Sequence, residues 1–132
     1  MTFTGESGMI LGIGTDILEI GKLNPHFLTG SDPFLRRTFS AGEIREAAGR
    51  RNLLYYYATR FAGKEAVFKA FRISPENIEL SEIEILNDPN GAPYVTLYGE
   101  MKDRAERMGI KRIHISLSYE DKYAVAFAAA ET

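Results

Sequence analysis

The chain contains no cysteine and only two histidines in 132 residues. A disulfide framework and a thiolate metal centre are therefore excluded, and two imidazoles alone do not make a zinc site. No apolar run reaches the roughly 20 residues that cross a bilayer, and the start lacks a charged segment followed by the apolar stretch of a secretory leader. A cytoplasmic, soluble protein that neither spans nor binds a membrane is the expectation. An excess of charge of either sign is lacking as well. A formal net charge of −2 gives no broad basic field, which argues against nucleic acid as a partner while leaving local phosphate sites open. Internal repeats, low-complexity tracts and linkers are all missing. With 45% hydrophobic and 26% charged residues, the chain suits one globular domain, able to bury roughly two-thirds of its unfolded surface. Residues 1–8 precede a second methionine, Met9, and read as a flexible extension to a domain spanning 9–132.

What is present begins with Arg60-Phe61-Ala62-Gly63-Lys64-Glu65-Ala66-Val67-Phe68-Lys69-Ala70-Phe71. At 100° per residue, Glu65, Lys69 and Arg72 share one helix face, and the small residues Gly63, Ala66, Val67 and Ala70 share the other. A carboxylate with cations one turn away suits a divalent metal and the phosphate oxygens that accompany it. Taken alone, the spacing equally describes a solvated Glu–Lys pair that stabilises a helix by roughly 0.2–0.5 kcal/mol. The segment Met9–Ile20 opens as an apolar strand and reaches Asp16 just after Gly12 and Gly14. Glycines permit another backbone to approach closely, so Asp16 is placed to meet Glu65. Two oxygen ligands completed by water and phosphate are the usual means of holding Mg²⁺. A dinucleotide-binding reading of these glycines fails because Ile17 stands where the third glycine belongs.

The remaining pattern predicts an α+β fold: a single domain with a long central helix packed on a largely antiparallel sheet. Ser40 and Glu43 form a capping box opening a short helix to about Arg50. The main helix runs from Leu53 to Phe71, limited by Ser74-Pro75. Ile83 and Ile85 alternate with Glu82 and Glu84 as a half-buried strand, and a turn at 87–91 leads to a second strand at 94–98. A helix over 99–108 and strands at 112–118 and 123–130 complete the chain. His114, in an apolar strand, reads as a core residue and not a base. The arginines at 36, 37, 45, 50, 51 and 60 all precede the Lys64-Glu65 pair, whereas Glu76, Glu79, Glu82 and Glu84 follow it. That asymmetry favours an acidic partner.

The motifs Gly12-Ile13-Gly14-Thr15-Asp16-Ile17, the Arg60–Phe71 helix and the late His114-Ile115-Ser116-Leu117-Ser118 strand, in this order, resemble the holo-acyl-carrier-protein synthases, the small 4′-phosphopantetheinyl transferases. The likeness runs from about Met9 to the C-terminus. It implies transfer of the phosphopantetheine arm of coenzyme A to a serine of an acyl carrier protein, with Mg²⁺ and release of adenosine 3′,5′-bisphosphate. Asp16 and Glu65 would hold Mg²⁺, and Lys69 with Arg60 nearby would stabilise charge developing on phosphate. Either Glu65 or a water on the metal would accept the serine proton. Coenzyme A contacts are expected from Arg50, Arg51, Arg60, Lys64, Lys69, Arg72, Gly91, Pro93, Ser118 and Tyr119. Lys22, Arg36 and Arg37 are candidates for the carrier-protein surface. The resemblance further implies a homotrimer with active sites between subunits.

Two positions depart from the family pattern. The family usually has glycine after Phe71, where this chain has Arg72, and often histidine after Ser118, where it has Tyr119. A compensated pocket is the expectation, with the arginine reinforcing a phosphate contact and the tyrosine hydroxyl replacing part of the imidazole's hydrogen bonding. The alternatives are a non-catalytic coenzyme A or carrier-protein binding module, a metal-dependent phosphohydrolase, and a purely structural oligomer.

Overall fold

Helix α3 (Leu53–Phe71) is buried on nearly every side, and the two strands of the sheet nearest its closest approach present mostly glycine and alanine to it. The computed structural model describes residues 8–23, 33–74 and 78–132. Strand β1 (Ile10–Glu19) comes first, then the short helices α1 (Pro33–Thr38) and α2 (Ala41–Ala47), then α3. Strands β2 (Ile83–Asn87) and β3 (Pro93–Leu97) form a hairpin, helix α4 (Gly99–Met108) follows, and β4 (Arg112–Tyr119) and β5 (Tyr123–Glu131) end the chain.

All strand pairings among the described residues are antiparallel, in two sheets of order β1-β5-β4 and β2-β3. The register of the larger sheet explains where α3 lies. Across it, Gly12, Ala130 and Ile113 form one row, Gly14, Ala128 and Ile115 the next, and Asp16, Ala126 and Leu117 the third. Side chains in these rows share the helix-facing side, since alternate strand residues point to one face. Bulk decreases from β4 towards β1, so the helix approaches β1 most closely. A Cβ on Gly14 would lie 2.0 Å from the Ala66 carbonyl oxygen, and one on Gly12 would lie 2.1 Å from that of Ala70. The third row therefore sets Asp16 against the helix.

On the far side of α3, Ile83 and Ile85 are fully buried with Phe68, Phe71 and Met101 in the main core. Leu35, Phe39, Ala47, Tyr56 and Tyr57 form a second cluster under α1 and α2. Helix α4 has no side-chain cap of its own at Tyr98. The Glu82 carboxylate fills that role, accepting from the backbone N–H groups of Glu100 (3.4 Å) and Met101 (3.2 Å), as an acid at a helix N-terminus should.

The bounds expected for α3 and α4 agree with those observed. The Ser40–Glu43 capping box is present in both directions, but α2 stops at Ala47, short of Arg50. Two sheets replace the single sheet expected. Strand β1 continues past Asp16 to Glu19, so Asp16 lies within an edge strand and not at its end. Arg72, with φ of 59°, is the left-handed residue that ends α3; Pro75 lies outside the described residues, as does the expected extension at 1–8 apart from Gly8. His114 is not a core residue. It occupies the outer face of the large sheet, more than half exposed, with Nε2 2.9 Å from Glu131 Oε1. Beside it that face exposes Ile13 (62%), Ile17 (66%) and Phe127 (45%).

Gly14→Ala should force β1 off α3, because the new methyl meets backbone that has no rotamer to adopt. The expected cost is about 3 kcal/mol, read as a Tm lower by roughly 10 °C. A variant melting within about 2 °C of the parent would show that β1 is free to shift.

Candidate active site

Strand β1 and helix α3 each contribute one carboxylate to the groove between them. Lys69, one turn beyond Glu65, donates from Nζ to the Thr15 carbonyl oxygen at 2.9 Å and to Asp16 Oδ1 at 3.2 Å. The Asp16 side chain is 19% exposed and that of Lys69 is 55% exposed, so the ammonium stands at the mouth of the groove. Burial raises the Glu65 pKa above the usual carboxylate range, and the neighbouring Asp16 charge raises it further, against the opposing pull of Lys69. The two acids are thus close enough to repel one another across a shared space.

This donor set fits Mg²⁺. Two hard carboxylates whose charges repel one another suit a cation that takes its remaining ligands from water and phosphate. Among the described residues no cluster of three or more His, Cys, Asp or Glu occurs.

Two of the residues expected to contact phosphate are committed elsewhere. Lys64 is completely buried. Its Nζ donates to Glu43 Oε1 at 2.7 Å, to the Leu80 carbonyl oxygen at 3.0 Å and to that of Ile83. Burial pushes the lysine pKa down and the Glu43 pKa up, each partly offset by the other's charge. Lys64 turns away from the groove because residues one apart on a helix point about 100° apart. Arg60 is buried too. Its Nε donates to the Ile85 carbonyl oxygen (3.3 Å), and Nη2 to Asn87 Oδ1 (2.8 Å) and Glu46 Oε1 (3.2 Å). It lies nine positions before Lys69, about 13 Å along the helix, so it does not assist Lys69. Arg72 also leaves the expected face: its left-handed backbone breaks the helical periodicity that aligned it with Glu65 and Lys69.

A second polar site opens near the start of α3. Arg50, Arg51, Asn52, Tyr55, Thr59, Arg60 and Tyr119 border a cleft of about 240 Å³ floored by Tyr56. Tyr119, at the end of β4, stacks on Tyr55 with ring centroids 4.9 Å apart. Arg50 and Arg51 are exposed. Gly91 and Pro93 do not line this cleft. Gly91, with φ of 87°, completes the hairpin turn, and Pro93 begins β3. Ser118 faces a separate groove with Ile17, Tyr123 and Val125 on the outer side of the sheet. Lys22, paired with Glu19 at 3.5 Å, and Arg36 and Arg37 on α1 are all exposed. Arg36 flanks an apolar depression of about 370 Å³ formed by Phe39, Ala41 and Ile44, with Arg45 opposite. Sequence reasoning missed Glu43 and Glu46 as partners of buried cations. Their i, i+3 spacing on an amphipathic helix was the available signal.

Residues 12–128 match the model of the 4′-phosphopantetheinyl transferase superfamily. The holo-[acyl-carrier-protein] synthase of Dehalococcoides mccartyi strain CBDB1 is 41% identical over 122 residues, covering 92% of this chain and 99% of the relative. The acyl carrier protein synthase of Plasmodium yoelii with ADP bound superposes with a TM-score of 0.84 at 34% identity, covering 95% of this chain and 97% of that one. The holo-(acyl-carrier-protein) synthase of Bacillus anthracis in complex with CoA (3′,5′-ADP) gives a TM-score of 0.73 at 31% identity, covering 94% and 98%.

The coupling between the carboxylates predicts that Asp16→Asn lowers the Glu65 pKa, leaving it still elevated by burial. Carbon-13 titration of the glutamate carboxyls reads this directly, and an unmoved Glu65 would separate the two acids. The sign for stability follows. A raised native pKa makes the Glu65 contribution complete at low pH and lost as pH rises through the native value, so this loss should be smaller in the variant. At the helix end, a non-glycine residue held left-handed costs about 1 kcal/mol, and Arg72→Gly should recover roughly 0.5–1 kcal/mol in urea unfolding. A loss of stability instead would mean that the guanidinium holds a contact worth more than the backbone strain.

Proposed function

The chain belongs to the 4′-phosphopantetheinyl transferase superfamily, among its holo-acyl-carrier-protein synthases, and from that membership we propose that Asp16, Glu65 and Lys69 carry its reaction. The 4′-phosphopantetheine arm of coenzyme A passes to a serine of an apo acyl carrier protein. The serine oxygen forms a bond to the phosphorus that bears pantetheine, the bond from that phosphorus to the bridging oxygen breaks, and adenosine 3′,5′-bisphosphate leaves. The observation that carries the residue assignment is the Asp16–Glu65 pair closed by Lys69 between β1 and α3.

Asp16 and Glu65 would hold Mg²⁺, which when bound neutralises pyrophosphate charge that repels an incoming oxygen. Glu65, held beside Asp16 by helix α3, takes the serine proton directly or through a water. Lys69, already half exposed beside Asp16, turns its ammonium to the phosphoryl oxygens as charge builds on the leaving group. Arg50 and Arg51 hold the ribose phosphate in the cleft they border. Lys22, Arg36 and Arg37, with the apolar depression beside Arg36, receive an acidic carrier protein. The transferase unit spans 9–132. Assembly as a homotrimer with interfacial active sites is supported by the apolar outer face of the large sheet, where Ile13, Ile17 and Phe127 are exposed. A cytoplasmic location belongs to the same reading.

The reading of a non-catalytic binding module rests on Arg72 and Tyr119. Arg72 caps a helix and Tyr119 stacks on Tyr55, so a scaffold contact accounts for each departure.

Purified protein with Mg²⁺ and coenzyme A should add the phosphopantetheinyl mass to an apo acyl carrier protein. Asp16→Ala and Glu65→Ala should each reduce the rate at least about a thousandfold with the circular-dichroism spectrum retained, and Lys69→Ala should slow turnover without loss of metal binding. Coenzyme A binding without modification of any acceptor would establish the silent module. A Glu65→Ala variant with normal rate and normal Mg²⁺ dependence would remove the carboxylate site.

A further inference from the structure

The arginine cleft has a fixed anion of its own. Glu46, on α2, accepts from Tyr56 Oη at 2.8 Å and from Arg60 Nη2 at 3.2 Å through Oε1, and from the Asn87 backbone N–H at 3.1 Å through Oε2. Arg50 Nη2 lies 3.9 Å from the same Oε1. Both guanidinium groups lie over the Tyr56 ring, Arg60 at 4.1 Å and Arg50 at 5.6 Å from its centroid. Every nitrogen of the Arg60 guanidinium already has a protein acceptor, since Nη1 donates to Thr59 Oγ1 at 3.4 Å. Arg60 is therefore a wall of the cleft, and the cations free to meet a ligand are Arg50 and Arg51.

We infer that Glu46 is an affinity-setting residue, a built-in counter-ion that weakens the cleft's hold on a phosphate monoester. This rests on the reading that the cleft takes the ribose 3′-phosphate of coenzyme A. Three guanidinium groups less one carboxylate leave two positive charges, matching a monoester that carries roughly −1.5 to −2 near neutral pH. Without Glu46, Arg60 and Arg50 would bring their full charge to bear on the phosphate. The leaving product, which keeps that phosphate, would be held longer. Glu46 thus trades affinity for release, and the carboxylate repels the very group that Arg50 and Arg51 attract.

Glu46→Gln tests the inference in the full-length chain, by titration calorimetry with coenzyme A and with dephospho-coenzyme A, which lacks only the 3′-phosphate. Removal of one negative charge at the cleft wall should tighten coenzyme A about fivefold and dephospho-coenzyme A less than about twofold. The same variant should melt lower, because its amide nitrogen cannot accept from both Asn87 N–H and the Tyr56–Arg60 donors. Tighter anion binding with lower stability is a combination that a merely structural Glu46 does not produce. An unchanged or reduced preference for coenzyme A overturns the inference. Arg51→Gln, measured alongside, should weaken coenzyme A about tenfold and spare dephospho-coenzyme A. Equal effects on both ligands would place the 3′-phosphate elsewhere and fell the cleft assignment itself, whereas a normal Arg51 result with an unresponsive Glu46 fells the counter-ion alone.

Discussion

Contact between β1 and α3 without intervening side chains is the constraint on which the site depends. Gly12 and Gly14 bring strand backbone against the carbonyls of Ala70 and Ala66, and the alanines of β5 keep the rest of the helix-facing floor low. Because strand residues alternate faces, the next position on that side after Gly14 is Asp16. The period of the strand and the absence of two side chains thereby deliver a carboxylate to a helix whose own period delivers Glu65 and Lys69. One residue of slip would send Asp16 to the outer face among Ile13 and Ile17. The pairing of Asp16 with Ala126 and of Gly14 with Ala128 fixes the register that prevents it.

The second constraint is the Glu43–Lys64 pair. Taking two charges fully out of water is costly, and the bond between them rarely repays the whole penalty. Here Glu43 also caps α2 and accepts from the Ile85 N–H at 2.8 Å, while Lys64 satisfies carbonyls preceding and opening β2. A single ion pair thus ties α2, α3 and β2 together through backbone groups that would otherwise be unsatisfied. The helix divides its labour by angle. Lys64 locks its rotation about its own axis, and Glu65, the next residue, inherits a fixed direction towards β1.

Much of this was legible in the sequence, and the reasons differ by element. The bounds of α3 and α4 agree with those expected, although Arg72 and not Ser74-Pro75 ends α3. The capping box named its own helix. The glycine-spaced approach of Asp16 to Glu65 could be reasoned because a missing side chain has only one steric consequence. Charged residues were harder to place. Lys64 and Lys69 look alike in sequence, yet one is sealed and the other half exposed, and the difference lies in Glu43, a residue 21 positions away whose carboxylate was read only as a cap. Arg60 misled for the same reason, its partners Glu46 and Asn87 being supplied by α2 and β2. His114 appeared as core because its strand is apolar, but β4 is covered on one face alone.

Where the chain departs from its family, the structure places the change on scaffolding. Arg72 takes a left-handed backbone at the end of α3, the conformation for which glycine carries no steric penalty. A glycine at this position would carry no such strain, so backbone geometry alone accounts for the cost of the arginine. Tyr119 keeps its position at the rim of the arginine cleft by stacking on Tyr55, whose hydroxyl in turn reaches the Asp121 carbonyl oxygen at 3.4 Å. An aromatic pair of this kind contributes about 1 kcal/mol beyond its burial, so the ring is held by stacking. Charge at this rim comes from Arg50, Arg51 and Arg60 with Glu46 beside them. The balance between Arg50, Arg51 and Arg60 on one side and Glu46 on the other is accordingly set by geometry.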